Sequence, residues 1–324
     1  MINRLVIGDS HNPWSNLALE KYLYRTCTDE NILYLWQNAD TVVIGRNQNA
    51  WKECDLKQMD ADGVKLARRE SGGGAVFHDL GNLNFTFISP NAVHDVHRQM
   101  GVIQAAVGQF GVETDLSGRN DLTIRASGSK FSGNAFQKGA TCALHHGTIL
   151  IDVDMEKIKR YLTPSAKKLE AKGIQSVRAR VANLKAVEPS VSVDGMRAAL
   201  VRAFEETYGP IDRTTPLQLD EAQIGEFERV LASWEWRLGN TPEFDITLNN
   251  RFAWGEVDLL LNVQRGHVTQ AQVYSDALDE GLILRIAPLL AGSPFNSAAL
   301  GERLRALGGI EGEDLAGWIA QESL

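Results

Sequence analysis

The sequence predicts an α+β fold: a large domain of mixed and antiparallel sheets with flanking helices, followed by a small α+β domain. Three observations carry this expectation. Strand-like and helix-like runs intermix over the first 240 residues without a regular βαβ repeat, which argues against a doubly wound parallel sheet. The stretch "NTPEFD", near residues 238–247, reads as a linker, setting a first domain at 1–240 and a second at 248–324. The charge balance also shifts: residues 1–210 hold 25 basic and 23 acidic side chains, whereas 211–324 hold 8 and 18.

Each element follows from its local pattern. "NLALEKYLYR" spaces Leu17, Leu19, Leu23 and Tyr24 for a helix with a partly apolar face. "ILYLWQ" and "TVVIGR" are β-rich runs separated by "NAD" and read as a hairpin. "GVKLARRES" reads as a strand entering a glycine loop, and "NLNFTFIS" alternates like a half-buried strand. "MGVIQAAVGQFG" reads as a helix stopped at Gly111. "DLTIRASGSKFSGNAFQ" mixes strand and turn, and "HHGTILIDVD" reads as another strand. "MEKIKRYL" and "DGMRAALVRAFEETYG" read as helices, the second ending at Gly209-Pro210. Beyond the linker, "RFAWGEVDLLLNVQRGHVTQAQVYSD" suggests a three-stranded meander, and helices follow in "LILRIAPLLAG" and "SAALGERLRALGG".

Composition narrows the function classes. A chain of 324 residues with 44% hydrophobic content buries a real core. Its net charge of -8 argues against general nucleic-acid binding. The amino-terminal portion, slightly basic, is the better place for anionic ligands. Three cysteines (Cys27, Cys54, Cys142) without metal-like spacing suit a reducing compartment. No apolar run has signal-peptide or membrane-spanning length, so a cytoplasmic protein with no membrane partner is expected. A monomer is the expected state.

The motif "RRESGGGAVFHD" (68–79) sets paired arginines beside three glycines. Glycine clears side chains from the backbone, so that N–H groups can approach a phosphate or carboxylate. No G-x-x-x-x-G-K-[ST] occurs, and a G-x-G-x-x-G match from Gly72 fails at Phe77. Adjacent residues on a strand face opposite ways, so one of Arg68 and Arg69 is expected to enter a site. A glycine-rich turn beside a surface charge pair is the plain alternative. "SGSKFSGNA" (127–135) clears the backbone around Lys130, which can steady charge on a transferred phosphoryl group or polarise a carboxylate. An exposed hairpin lysine is the simpler reading of that motif alone. "GRNDL" offers Asn120 and Asp121 as oxygen ligands for Mg²⁺, or a turn-forming pair. His94 and His97 lack a third metal ligand, and His145 and His146 read as structural or pocket-lining. Residues 157–180 hold eight basic side chains and one acid, Glu170.

Taken together, "NPWSNLALE", "LYLWQNADTVVIGRNQNAWKEC", "LARRESGGGAVFHDLGNLNFTF", "SGRNDL", "SGSKFSGNA", "HHGTILID" and "KKLEAKGIQSVRARVANL" resemble the lipoate–protein ligase A family of the biotinyl/lipoyl ligase superfamily. The carboxy-terminal segment resembles the accessory domain of its long form. The resemblance implies a biotin/lipoate-ligase-like catalytic domain and a two-step reaction. Lipoate and ATP, with Mg²⁺, give lipoyl-AMP and pyrophosphate. The lipoyl group then passes to a lysine on lipoyl domains of 2-oxoacid dehydrogenase E2 subunits and on glycine cleavage H protein. Carried over by motif, Arg69, Gly74, Ala75, Val76, Phe77 and Lys130 line the ATP or adenylate site, and Lys130 is the catalytic residue. Lys130 and Gly73 are expected to contact lipoate, with Trp36 walling the apolar slot that its chain needs; Asp121 is the Mg²⁺ candidate, and the 157–180 segment is expected either to steer acidic acceptors or to be a solvated face. Glu70, where relatives commonly carry an uncharged residue, is expected to point away from the ligand. The rival within the superfamily is an acyltransferase moving octanoyl from acyl carrier protein. It would act through a cysteine thioester or by direct relay; the cysteine such enzymes can carry precedes a His-Gly pair by three residues, where this chain has Ala143, with Cys142 one residue earlier.

Overall fold

The computed structural model describes residues 1–118, 120–162, 181–213, 217–238 and 246–322. Among these, a seven-stranded sheet runs in the order β1 (Ile2–Ile7), β2 (Glu30–Trp36), β6 (Asn82–Pro90), β10 (Cys142–Leu150), β9 (Lys130–Lys138), β8 (Asp121–Ile124), β7 (Thr114–Ser117). Only the β1–β2 pair within it is parallel. A second, three-stranded sheet places β3 (Thr41–Ile44) between β4 (Lys65–Arg68), parallel to it, and β5 (Val76–His78), antiparallel.

Helices cover both faces of the large sheet. α1 (Pro13–Thr26) starts with Asn12 as its cap and Pro13 in its first turn, where the missing N–H costs nothing. It packs on one face with α4 (Glu221–Ala232), burying Leu17, Leu23, Tyr34 and Trp36 together. On the other face, α2 (Val96–Gly108) and α3 (Val193–Tyr208) are capped by Asp95 and Ser192 and bury Phe85, Phe87 and Phe204. Double coverage makes β6 buried along almost its whole length, not half-buried as its alternation suggests.

The expected hairpin of "ILYLWQ" and "TVVIGR" does not form. β2 pairs with β1 and β6, whereas β3 pairs with β4 and β5, so "NAD" carries the chain from one sheet to the other. A three-residue turn looks the same in sequence whether its strands pair or part. The C-terminal part is the expected meander of β11 (Ile246–Phe252), β12 (Gly255–Gln264) and β13 (His267–Ser275). Against it pack α5 (Glu280–Leu290), α6 (Ser297–Arg305) and α7 (Gly309–Ile319), around their own core. α7 was not expected: "GGIEGEDLAGWIA" begins with two glycines and has no side-chain cap.

Arg68 ties these parts together. Its guanidinium is buried and donates to the carbonyls of Gly45, Arg46 and Gln48 on one side and of Trp236 and Arg237 on the other, at 2.7–3.2 Å. Trp236 Nε1 donates back to Arg68 O at 2.8 Å. Replacing Arg68 with methionine removes the donor that gathers those carbonyls, so Arg68→Met is expected to lower unfolding free energy by about 3 kcal/mol in urea titration.

Candidate active site

The face of the large sheet beneath α1 carries the site. Trp36 on β2, Asn84 on β6 and Thr148 on β10 lie directly opposite one another, and directly opposed residues share a face. Thr148 Oγ1 accepts from the Gly133 N–H of β9 at 3.3 Å, extending the row. Above this row lies a cavity of about 130 Å³, roofed by the glycine loop and walled in part by Leu17 and Val43.

Lys130 stands at the start of β9. Its Nζ pairs with Asp121 Oδ1 at 2.7 Å and lies over Gly133, where an added Cβ would sit 2.7 Å from the amine. The bare backbone at Gly133 therefore lets the ammonium lie against the sheet. Asn120 and Asn134 lock the neighbouring turn, with Asn134 Nδ2 donating to Asn120 O at 2.9 Å and the Asn120 amide donating to Asn134 O.

Arg69 faces opposite to Arg68, as strand alternation requires, and lines the cavity. Its Nη2 donates to Gly72 O at 2.7 Å and Gly74 O at 2.8 Å, its Nη1 to Val43 O, and its Nε to Ser71 Oγ at 3.1 Å. Burial pulls its pKa down to about 10, with Glu20 opposing, and it stays cationic at neutral pH. Gly73 has φ +93°, and a Cβ there would also meet Arg69 Nη2 at 2.9 Å, so the curl of the loop requires glycine. The loop is pinned from the C-terminal part as well: Gly73 N donates to Ala277 O at 2.9 Å.

A buried polar chain continues from the loop. Ser71 Oγ lies 2.7 Å from His146 Nε2, and His146 Nδ1 donates to Glu20 Oε1 at 2.8 Å. Glu20 Oε1 also accepts from Thr86 Oγ1 at 2.6 Å, and Thr86 Oγ1 accepts from Trp36 Nε1 at 3.1 Å. Trp36 in the wall and the glycine loop in the roof are thus joined by one hydrogen-bond chain.

Trp36, Arg69, Gly73, Gly74, Ala75, Val76 and Lys130 all line this one cavity, together with Asn120. Phe77 does not: its side chain is turned into the core of the small sheet, 5.6 Å ring to ring from Tyr161. One residue along a strand reverses the face, so a carry-over by motif position gains Val76 and loses the Phe77 side chain. Asp121 reaches the cavity through Lys130. Glu70 turns outward to Lys21 at 2.8 Å, away from the site, as expected. Cys142 is buried beside Cys27, its Sγ 3.2 Å from Cys27 O, and does not line the cavity. His94 bonds Ser89 Oγ at 3.0 Å, and no cluster of three metal-ligating side chains occurs among the described residues. The basic run falls on 157–180, of which 163–180 lie outside the described residues.

Glu20, Thr86 and Asn84 were not singled out from sequence. A signal existed for Glu20: an acid set among Leu17, Leu19, Leu23 and Tyr24 calls for a buried partner.

Comparison with known proteins agrees with this geometry. Residues 12–205 match the family described as lipoyl protein ligase A/B catalytic domain, and residues 241–319 match bacterial lipoate protein ligase C-terminus. The chain is 41% identical over 305 residues to lipoate-protein ligase A of Blochmanniella pennsylvanica, covering 92% of this chain and 90% of that one. Among solved structures, Plasmodium falciparum LipL1 in complex with lipoate superposes with a TM-score of 0.85 at 30% identity, covering 99% of this chain and 100% of that one. A lipoate-protein ligase A bound with ATP gives a TM-score of 0.65 at 28% identity, covering 74% of this chain and 99% of that one.

His78 lines the same cavity, and burial with neighbouring Arg69 and His146 pushes its pKa down to about 3. Between that value and the unfolded value near 6.5, the unfolded chain takes a proton that the folded chain refuses. The stabilisation is therefore whole above pH 6.5 and is lost as pH falls below it, by about 1.4 kcal/mol per pH unit from this residue. His78→Gln is expected to flatten the pH dependence of unfolding free energy between pH 6 and 4 by about that slope. Parallel slopes for variant and parent in urea titrations would contradict it.

Proposed function

The chain belongs to the lipoyl protein ligase A/B family, and from that premise we propose that the cavity seats lipoate with its carboxylate at Lys130 and ATP along the glycine loop. The activity is that of a lipoate–protein ligase: lipoate is activated with ATP to lipoyl-AMP, and the lipoyl group is transferred to a lysine amine of an acceptor protein. The observation that supports the residue roles is that Lys130, Arg69 and the glycine loop border one cavity with an apolar wall.

Activation joins two anions, so its first need is positive charge where carboxylate and α-phosphate meet. Lys130 supplies it, and its pairing with Asp121 holds the amine ready over Gly133. The Gly74, Ala75 and Val76 backbone offers N–H donors to phosphate oxygens as pyrophosphate departs, and Arg69 holds the loop in shape for them. Trp36 and Val76 wall the acyl chain, keeping water from the mixed anhydride. Mg²⁺ fits a site of one protein carboxylate completed by phosphates, which Asp121 would provide; bound there it would neutralise phosphate charge. In the second step the acceptor's lysine amine attacks the acyl carbon and AMP leaves, with Lys130 close to the departing phosphate.

The acceptors are lipoyl domains of 2-oxoacid dehydrogenase E2 subunits and glycine cleavage H protein, and the working form is a monomer in the cytoplasm. No helix among the described residues is long and apolar enough to cross a membrane, and the three cysteines are free. The thioester route of the octanoyl-transferase rival needs an accessible nucleophilic cysteine, and buried Cys142 does not meet that need.

Incubation with ATP, Mg²⁺, lipoate and an apo lipoyl domain is expected to raise the acceptor's mass by one lipoyl group, only when ATP is present. Modification from octanoyl acyl carrier protein without ATP would favour the rival. Lys130→Ala is expected to reduce pyrophosphate release about 100-fold or more, and unchanged release would remove Lys130 from the chemistry. Reversing charges within 157–180 is expected to slow transfer at low salt and to leave adenylate formation alone, by comparing acceptor labelling with pyrophosphate release.

A further inference from the structure

Two buried N–H donors belonging to the cavity wall have no acceptor. Asn84 and His78 both line the cavity and are 1% and 3% exposed. Asn84 Oδ1 accepts from Asn82 Nδ2 at 3.0 Å, while among the described residues Asn84 Nδ2, like Asn82 Oδ1, has no partner. Asn38 fixes the tautomer of His78. Its Oδ1 accepts from Asn16 Nδ2 at 2.9 Å, so its Nδ2 donates to His78 Nδ1 at 3.1 Å. With the ring neutral and Nδ1 accepting, the proton is on Nε2, which is also unpartnered. Buried donors are nearly always paired, so two orphans in one wall call for an acceptor supplied from outside the chain.

Their position says what that acceptor is attached to. Lys130 Nζ lies over Gly133 on β9, and Asn84 stands on β6, two strands away across β10. Two strand spacings are about 10 Å, the reach of an extended eight-carbon acyl chain whose carboxylate is held at Lys130. His78 lies against Trp36 at the same end, the rings edge-on at 6.2 Å.

We infer that Asn84 and His78 read the disulfide end of the acyl chain, their N–H groups meeting sulfur lone pairs, and so select lipoate over a straight eight-carbon acid. The inference rests on the placement of lipoate proposed above. Sulfur is a weak acceptor, but a methyl end offers none, and closing an apolar group on both donors leaves them unpaired.

The test uses the full chain with Mg²⁺ and ATP and reads pyrophosphate release with lipoate, octanoate and 5-cyclopentylpentanoate. The last keeps the five-membered ring and replaces both sulfurs with carbon. kcat/KM for lipoate is expected to exceed that for the carbocycle about tenfold. Asn84→Leu and His78→Phe are each expected to bring the two acids within about threefold. Equal kcat/KM for lipoate and the carbocycle in the unaltered chain overturns the inference, and that comparison requires no variant to fold. Release with none of the three acids overturns the ligase reading itself and the inference with it.

Discussion

A fully buried guanidinium that has no carboxylate within bonding distance must be satisfied by oxygens arranged for it, and at Arg69 those oxygens belong to the glycine loop. The carbonyls of Gly72 and Gly74 converge on Nη2, which forces the curl that Gly73 at φ +93° permits. The Gly72–Gly73 peptide that gives its carbonyl to Arg69 turns its N–H the other way, to Ala277 O, so one peptide plane ties the loop to the cation and to the C-terminal part. The negative charge that balances Arg69 is Glu20, reached through Ser71 and His146. Separating the charges by two intervening side chains keeps the arginine from being consumed in a direct ion pair.

The neighbouring arginines divide two tasks by strand geometry alone. Arg68 faces away from the cavity and gathers carbonyls from 45–48 and 236–237, fixing the small sheet against the chain that follows α4. Arg69 faces the cavity and shapes the loop. The segment between β13 and α5 then touches that loop directly, through Gly73 and Ala277, and Ser275 N bonds Asn47 O at 2.6 Å. The C-terminal part therefore meets the site at its roof, whereas the wall and floor come from α1, the large sheet and Val43, Val76 and His78 of the small sheet.

Polarity within the cavity is uneven, and the unevenness follows the sheet. The β9 end carries Lys130, Asp121 and the Asn120–Asn134 lock, suited to charge. The β2–β6 end carries Trp36, Asn84 and His78, apolar surface with two uncharged donors. A ligand with a carboxylate at one end and a polarisable ring at the other matches both. Because His78 is held neutral by burial, that end adds no charge to the slot.

The sequence by itself determined the local elements and the residue types of the site. Cap residues, helical periodicity and turn glycines place α1, α2, α3 and the C-terminal meander. The glycine run beside two arginines and the cleared lysine at 130 mark residues that border the one cavity. These signals are local, readable from a few neighbouring residues and the physics of one strand or helix. What only the tertiary structure decided is non-local. It settled which strands pair, so that "NAD" became a crossing between sheets. It also settled that β6 is covered on both faces, and that Phe77 turns inward while Val76 turns to the cavity. Glu20, Thr86 and His146 meet only because α1, β6 and β10 are stacked and registered against one another. A hydrogen bond spanning 126 residues of chain leaves no trace in spacing, because its geometry is set by sheet order and packing.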